Sequence, residues 1–336
     1  MVMAKKAPVS ENAVIIPAAA QQPAQTGGYA DWLADFLAAQ DITPGSRATY
    51  KSALSQFFQW LIENPPAGTL SRETILQYKE FLAKKGLQTF TRANYVVAVR
   101  RFFEWTESTL KYPNIAKGVK GVRRSTKIHH KHALTTKQIM QLLASIKNTG
   151  DPVIANLRDY ALINLLFRTG LRLIEIKRAT IADLELRAQD AILWIHGKGR
   201  EGKDEFIVVP HDALTPITEY LAMRKPGLAR EPLFASLSDR NFGKQITTNS
   251  LSRIIKQRLR MAGMDSRRIT AHSLRHTFGV MAITAGASLY DVQLAMRHTS
   301  PATTEIYLGD IEQEKRLLGG AEQRVDELFK KLSENN

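Results

Sequence analysis

Between Lys111 and His132 the chain carries seven Lys or Arg, three His and Pro113, and not one acidic side chain. Such a stretch shows neither the alternation of a strand nor the apolar stripe of a helix, so it divides the chain into two blocks that fold separately. It is expected to stay solvated, and lying along a phosphate backbone is its natural use. The whole chain leans the same way: 336 residues with a formal net charge of +15 favour nucleic acid over a membrane surface as partner. That length fits two domains. No apolar run reaches the ~18 residues of a membrane span. Cysteine is absent, which excludes disulfides, thiolate metal sites and Cys nucleophiles and fits a reducing cytoplasm. The "HHKH" cluster at the end of the basic stretch lacks the acid or Cys partners of a metal site, so no metal is expected.

Residues 1–27, rich in Ala, Pro and Gln, read as a disordered tail. Residues 28–110 read as a helical domain. "YADWLADFLAAQ" is amphipathic, and "SRATYKSALSQFFQWLIE" places Tyr50, Leu54, Phe57, Phe58 and Leu61 on one face. "SRETILQYKEFLAKKG" starts after a Ser and stops at Gly86, and "TRANYVVAVRRFFEWTES" turns Tyr95, Val96, Val99, Phe102 and Phe103 inward. After the basic 111–132 linker, residues 133–310 form a second domain. Helices at "LTTKQIMQLLASI", "VIANLRDYALINLLFRTG" and "RLIEIKRA" precede three strands near 184–187, 191–196 and 205–209. Helices then follow near 211–224, 248–262, 272–285, 288–296, 301–308, 311–318 and 321–333. The fold class is mainly α with one small antiparallel β-sheet. Residues 311–336 form a helical tail in which Val325, Leu328, Phe329 and Leu332 recur at helical spacing, with Gly319-Gly320 as a hinge.

"HGKGREGKDEF", residues 196–206, fits seven places of the phosphate-cradling P-loop pattern. Its eighth place is Asp204, where a P-loop needs a hydroxyl for magnesium. A P-loop also opens a helix, whereas Phe206-Ile207-Val208-Val209 reads as a strand. The segment is therefore a β-hairpin tip carrying two lysines, and the phosphate they serve is set by the rest of the chain.

Four short stretches supply that context. "TGLRLIEI" places Arg172 and Glu175 three apart on one helical face; "HGKGREGK" places Lys198 on the hairpin. "AHSLRH" places His272 and Arg275 three apart, and "RHTSPATTEIY" places His298 nine residues before Tyr307. His272 and His276 lack the Glu that a zinc protease helix carries between its histidines. In this order the stretches resemble the tyrosine recombinase (phage-integrase) family, whose signature is Arg, Lys, His-x-x-Arg, His or Trp, and a nucleophilic Tyr nine residues on. The resemblance is strong over about residues 130–310, and the helical block before it is similar to the family's core-binding domain. One place departs: where the family often has Leu-Gly-His, this chain has Met296-Arg297-His298.

The resemblance implies a two-domain clamp on duplex DNA and a site-specific recombinase of the simple Xer or Cre kind. Tyr307 would attack the scissile phosphate and form a 3′-phosphotyrosine. Arg172 and Arg275 would grip the non-bridging oxygens, Lys198 would protonate the leaving 5′-oxygen, and His272 would take the tyrosine proton. His298 would donate to the phosphate and Glu175 would orient the site. Neither metal nor nucleotide cofactor is implied, since the arginines supply the positive charge. Partners would be double-stranded DNA with paired half-sites and three further copies of the chain. These form a tetramer by exchange of C-terminal helices, the free protein being monomeric and nucleoid-associated. A catalytically inactive DNA-binding relative and a type IB topoisomerase are the alternatives. Candidate DNA contacts read from exposed basic faces are Arg47, Lys51, Thr91, Arg92 and Asn94 in the first domain, Arg123, Arg124 and Lys127 in the linker, and Arg253, Lys256 and Arg260 in the second.

Overall fold

A computed structural model describes residues 28–109, 111–122, 132–147, 149–196, 202–203, 205–319, 325 and 328, with the backbone alone for 310 and 312–319. The tail 1–27, Arg123, Arg124, Lys127 and Lys198 lie outside the described residues. The chain divides into two compact units, Met1–Ser125 and Thr126–Asn336.

Among the described residues, four helices build the first unit: α1 (Gly28–Ala39), α2 (Pro44–Glu63), α3 (Arg72–Lys84) and α4 (Thr89–Ser108). Proline at the first position of α2 is preset for a helix, and the Thr43 side chain accepts the Ser46 N–H at 3.3 Å. The inward faces are aromatic. Trp32, Phe36, Phe57, Phe58, Trp60, Tyr78, Phe102 and Phe103 are all buried. Several of their rings meet edge to face, as in Phe58–Phe102 at 5.2 Å and Phe57–Tyr78 at 4.9 Å, a geometry the ring quadrupole favours.

The stretch expected to be a solvated linker is divided, and its first half is part of this core. Tyr112, Ile115, Ala116 and Val119 are buried against the helices. The Tyr112 hydroxyl donates to the Leu70 carbonyl at 3.1 Å, Lys79 donates to the Lys120 carbonyl at 2.7 Å, and Lys111 pairs with Asp35 at 2.6 Å. The apolar residues here follow no helical or strand period, because the segment covers the helices as an irregular strap. Its charge content masks that pattern in the sequence.

In the second unit α5 (Thr136–Lys147), α6 (Val153–Thr169) and α7 (Leu173–Arg178) lead into a three-stranded antiparallel sheet. Its strands are β1 (Leu184–Arg187), β2 (Asp190–Ile195) and β3 (Glu205–Val209), with Leu193 facing Leu184 on one side and Ile207 on the other. Then come α8 (His211–Arg224), α9 (Thr248–Met261), α10 (Ala271–Thr284), α11 (Leu289–Met296) and α12 (Pro301–Gly319). The run Ala161–Phe167 is buried on every side, so α6 is a central helix, packed by α5, α8 and α10. The hairpin segment that imitates a P-loop joins β2 to β3, and the next helix begins only at His211. Two helices expected at 301–308 and 311–318 are one continuous α12, because Gly309 weakens a helix without ending it.

A buried ion network fixes α9 to α6. Arg258 donates to Asp159 at 2.8 and 2.7 Å, to Asp151 at 2.6 Å and to Asn156 at 3.1 Å, while Arg158 donates to the other Asp159 oxygen at 2.8 Å. Removing the central carboxylate strands Arg158 in the interior and leaves Arg258 only Asn156 and the partly exposed Asp151. Asp159→Ala is therefore expected to cost about 3–5 kcal/mol in urea unfolding, with the loss confined to the second unit's transition.

Candidate active site

Three helix ends and one buried carboxylate build the site. The first end is that of α6, where Gly170 takes a left-handed conformation with φ +62°. A β-carbon at Gly170 would also stand 2.6 Å from the Phe278 ring, so glycine is needed there twice over. The turn delivers Arg172 to the start of α7. Its N–H and its Nη1 donate to the two oxygens of Glu175 at 2.8 and 2.9 Å, one turn further on.

The second end is the C-terminus of α11, whose last carbonyls have no partner within the helix. Arg275, buried on α10, donates through Nη2 to the Met296 carbonyl at 2.5 Å and through Nη1 to the Gly170 carbonyl. Arg172 Nη2 donates to the Arg297 carbonyl at 2.7 Å. Two guanidiniums thus dock where the helix dipole is negative. Arg297 itself closes the helix: its N–H reaches Leu294 at 2.9 Å and that of His298 reaches Gln293 at 3.1 Å, a Schellman turn. Its φ of +53° is a conformation that costs a non-glycine residue roughly 1–2 kcal/mol.

What holds Arg297 there is its side chain. Nη2 donates to Glu175 at 2.6 Å, Nε at 3.4 Å, and Nη1 to the Ala295 carbonyl at 2.6 Å. Burial alone would raise the Glu175 pKa, but Arg297 and Arg172 outweigh it and hold the carboxyl below its usual range. Arg275 is pushed down to about 10 by burial and by Arg172, which still leaves it charged at neutral pH.

The third end is the start of α12. Tyr307 is buried on its second turn, with the His276 ring 4.8 Å away and the His298 ring 6.0 Å away. Gly279 gives the ring room: a β-carbon there would lie 2.8 Å from Tyr307 Cε2. His298 Nδ1 sits 2.8 Å from the buried Thr304 hydroxyl, which fixes the imidazole and directs Nε2 elsewhere. Burial, then the charges of Arg275 and Arg172, bring the His298 pKa down to about 4, so the ring is neutral. Residues 132–314, a span that takes in every one of these groups, match the pattern that defines the phage integrase family.

The chain belongs to that family.

XerD of Yersinia pestis is 33% identical over 174 residues, 52% of this chain and 56% of that protein. XerC of Leptospira interrogans is 33% identical over 163 residues, 48% of this chain and 49% of that protein. The chain therefore spans about half the length of the curated relatives it matches. A crystal structure of the XerH site-specific recombinase bound to palindromic difH substrate, a post-cleavage complex, aligns with a TM-score of 0.70 at 21% identity. The alignment covers 89% of this chain and 86% of that one. The mainly helical fold with a small antiparallel sheet is thus the tyrosine recombinase fold.

Of the integrase-family positions singled out in the sequence, Arg172, Glu175, Arg275, His298 and Tyr307 are gathered in this site. His272 is exposed on the first turn of α10, near enough for its charge to bear on His298. Lys203 pairs with Asp183, whose other oxygen accepts the Thr180 N–H and hydroxyl at 2.8 Å. His276, Gly279, Thr304 and Arg297 belong to the site as well. The sequence signals for them were faint: His276 follows Arg275 directly, and Arg297 stands in a glycine's place.

Among the expected DNA contacts, Arg47 and Lys51 are exposed one turn apart near the start of α2, and Arg253 is exposed on α9. Thr91, Arg92 and Asn94 are half-buried near the start of α4. Lys256 differs from expectation. Its ammonium has three donors and meets three acceptors: Asp265 at 2.9 Å and the Ser266 and Ile269 carbonyls at 2.7 and 3.3 Å. It clasps the loop after α9, and Arg260 shares Asp265 at 3.1 Å.

The histidine offers a stability test in this family member. Folded, His298 stays neutral down to about pH 4, whereas an unfolded chain protonates it near 6.5. Between those values the unfolded state binds more protons, so stability is expected to rise with pH across that window. Urea unfolding at stepped pH checks it, with His298→Gln expected to show a shallower slope there.

Proposed function

We propose that this chain is a site-specific DNA recombinase that cuts and rejoins duplex DNA through a 3′-phosphotyrosine intermediate. The observation that carries the proposal is the seating of Tyr307 against the His276 and His298 rings, in one site with two guanidiniums anchored on helix-end carbonyls. Tyrosine is a weak nucleophile and a phosphodiester repels anions, so the reaction needs a proton acceptor and fixed positive charge. Arg172 and Arg275 take the non-bridging oxygens with planar forks that stay charged. The Tyr307 oxygen attacks phosphorus, its proton passes to His272, and the bond to the 5′-oxygen breaks. Lys198 protonates that oxygen as it leaves. His298 donates from Nε2, the nitrogen that Thr304 does not hold. Attack by a 5′-hydroxyl of another strand on the phosphotyrosine reverses each step and reseals the backbone. No metal or nucleotide enters the balance.

Family membership supports this reading, as does the naming of the matched relatives as tyrosine recombinases. The engagement of Lys203 with Asp183 favours Lys198 as the hairpin's acid. Both units would contact duplex DNA, with the exposed Arg47, Lys51 and Arg253 meeting phosphates. The chain would act as a tetramer on two sites, joined by C-terminal helices. Val325 and Leu328 are exposed, 53% and 56%, which fits a stripe that docks on a neighbouring copy. Phe329 and Leu332, the rest of that stripe, lie outside the described residues.

Tyr307→Phe is expected to abolish covalent attachment to a nicked suicide substrate on a denaturing gel while leaving gel-shift binding within a few-fold. A persisting adduct in that variant would exclude Tyr307 as nucleophile. Lys198→Ala is expected to slow cleavage about a hundredfold or more, the lower end of the range for a lost general acid, and a 5′-phosphorothiolate at the scissile bond should restore it. A sulfur leaving group needs no proton, whereas lost binding would not be rescued. Rescue of Lys203→Ala in place of Lys198→Ala would reverse the assignment.

A further inference from the structure

Arg297 stands at the closing residue of a Schellman turn, in the left-handed conformation that glycine adopts freely. Its side chain is only 7% exposed, against 31% for Arg172 and 0% for Glu175. Its guanidinium is engaged on Glu175 and the Ala295 carbonyl, so it faces the carboxylate from inside, while Arg172 still opens outward. Its two ends act on the same pair. The guanidinium donates twice to Glu175, and the carbonyl accepts from Arg172.

We propose that Arg297 is a positioning residue for the phosphate-gripping Arg172, an inference that rests on the recombinase reading above. Without it, Arg172 would be the one cation bonded to a fully buried carboxylate and would be drawn onto it. With it, the charge of Glu175 is cancelled from behind, and the N–H groups Arg172 does not use on Glu175 and residue 297 remain for the substrate. The charge sum changes too. Arg172, Arg275 and Arg297 against Glu175 make three positive charges less one negative, a net of +2 around the reacting phosphate; glycine at 297 would leave +1. A strained backbone is kept in place by the ion pair, and the ion pair sets the electrostatics of the site.

The test is Arg297→Gly in the full-length chain, because glycine relieves the left-handed strain and preserves the turn. Single-turnover adduct formation on a suicide substrate is expected to fall about tenfold or more, as for other partners that orient a reacting group. Half-site binding by gel shift should change less than about threefold, a split that a purely structural role would not produce. Combining Arg297→Gly with Glu175→Gln should cost less than the sum of the two single effects, since the carboxylate that Arg297 neutralises is then gone. Arg297→Lys should fail to restore the rate, because an ammonium has no fork to span both carboxylate oxygens. Adduct formation by Arg297→Gly at the wild-type rate, or strict additivity with Glu175→Gln, overturns the inference while leaving the recombinase reading intact. A wild-type protein that forms no Tyr307 adduct overturns both. Arg297→Asn, which also tolerates the left-handed turn, guards against misfolding; if both variants melt about 10 °C or more below wild type, the residue is structural and the inference fails.

Discussion

Three arginines share one small interior, and what lets them coexist is the placement of helix ends. Arg172, Arg275 and Arg297 would repel one another in a low-dielectric setting with only Glu175 to answer them. The carbonyls of Gly170, Ala295, Met296 and Arg297 supply the rest of the compensation, each at or near the end of a helix where it has no intrahelical partner. The site therefore depends on where α6 and α11 stop. Those stops are written in two left-handed residues, Gly170 and Arg297, and moving either would displace an acceptor and unbalance the charges.

Much of this was legible in the sequence, for a physical reason. Arg172 caps α7 in extended backbone and His298 lies between α11 and α12, so the family pattern alone marked those two, whereas helical period and the His-x-x-Arg spacing are properties of side chains on regular elements. Spacing alone fixes which face they share. The carbonyl acceptors were not legible, since every residue carries one and only the fold decides which point inward. Lys256 illustrates the same limit. On a helical wheel it sits with Arg253 and Arg260, yet the loop after α9 returns three acceptors to it.

The strap from Lys111 to Val122 shows a different limit. Its charges dominate any sliding window, and its apolar residues, at irregular intervals, pack one by one into gaps between helices. Periodicity reads only elements that repeat. Arg297 lay between these cases: its identity was visible as an exception to the family pattern, but the meaning of the exception needed the coordinates of Glu175.

Continuity of α12 from Pro301 to Gly319 has a mechanical consequence. Twelve residues separate Tyr307 from Gly319, which at about 1.5 Å per residue is a stiff rod of about 18 Å. A loop at that place would absorb any pull on the downstream tail. A helix carries it along its axis, towards the turn whose Tyr307 ring rests against Gly279. Tyr307 and Gly319 thus lie on one stiff element, seated on α10 and α11.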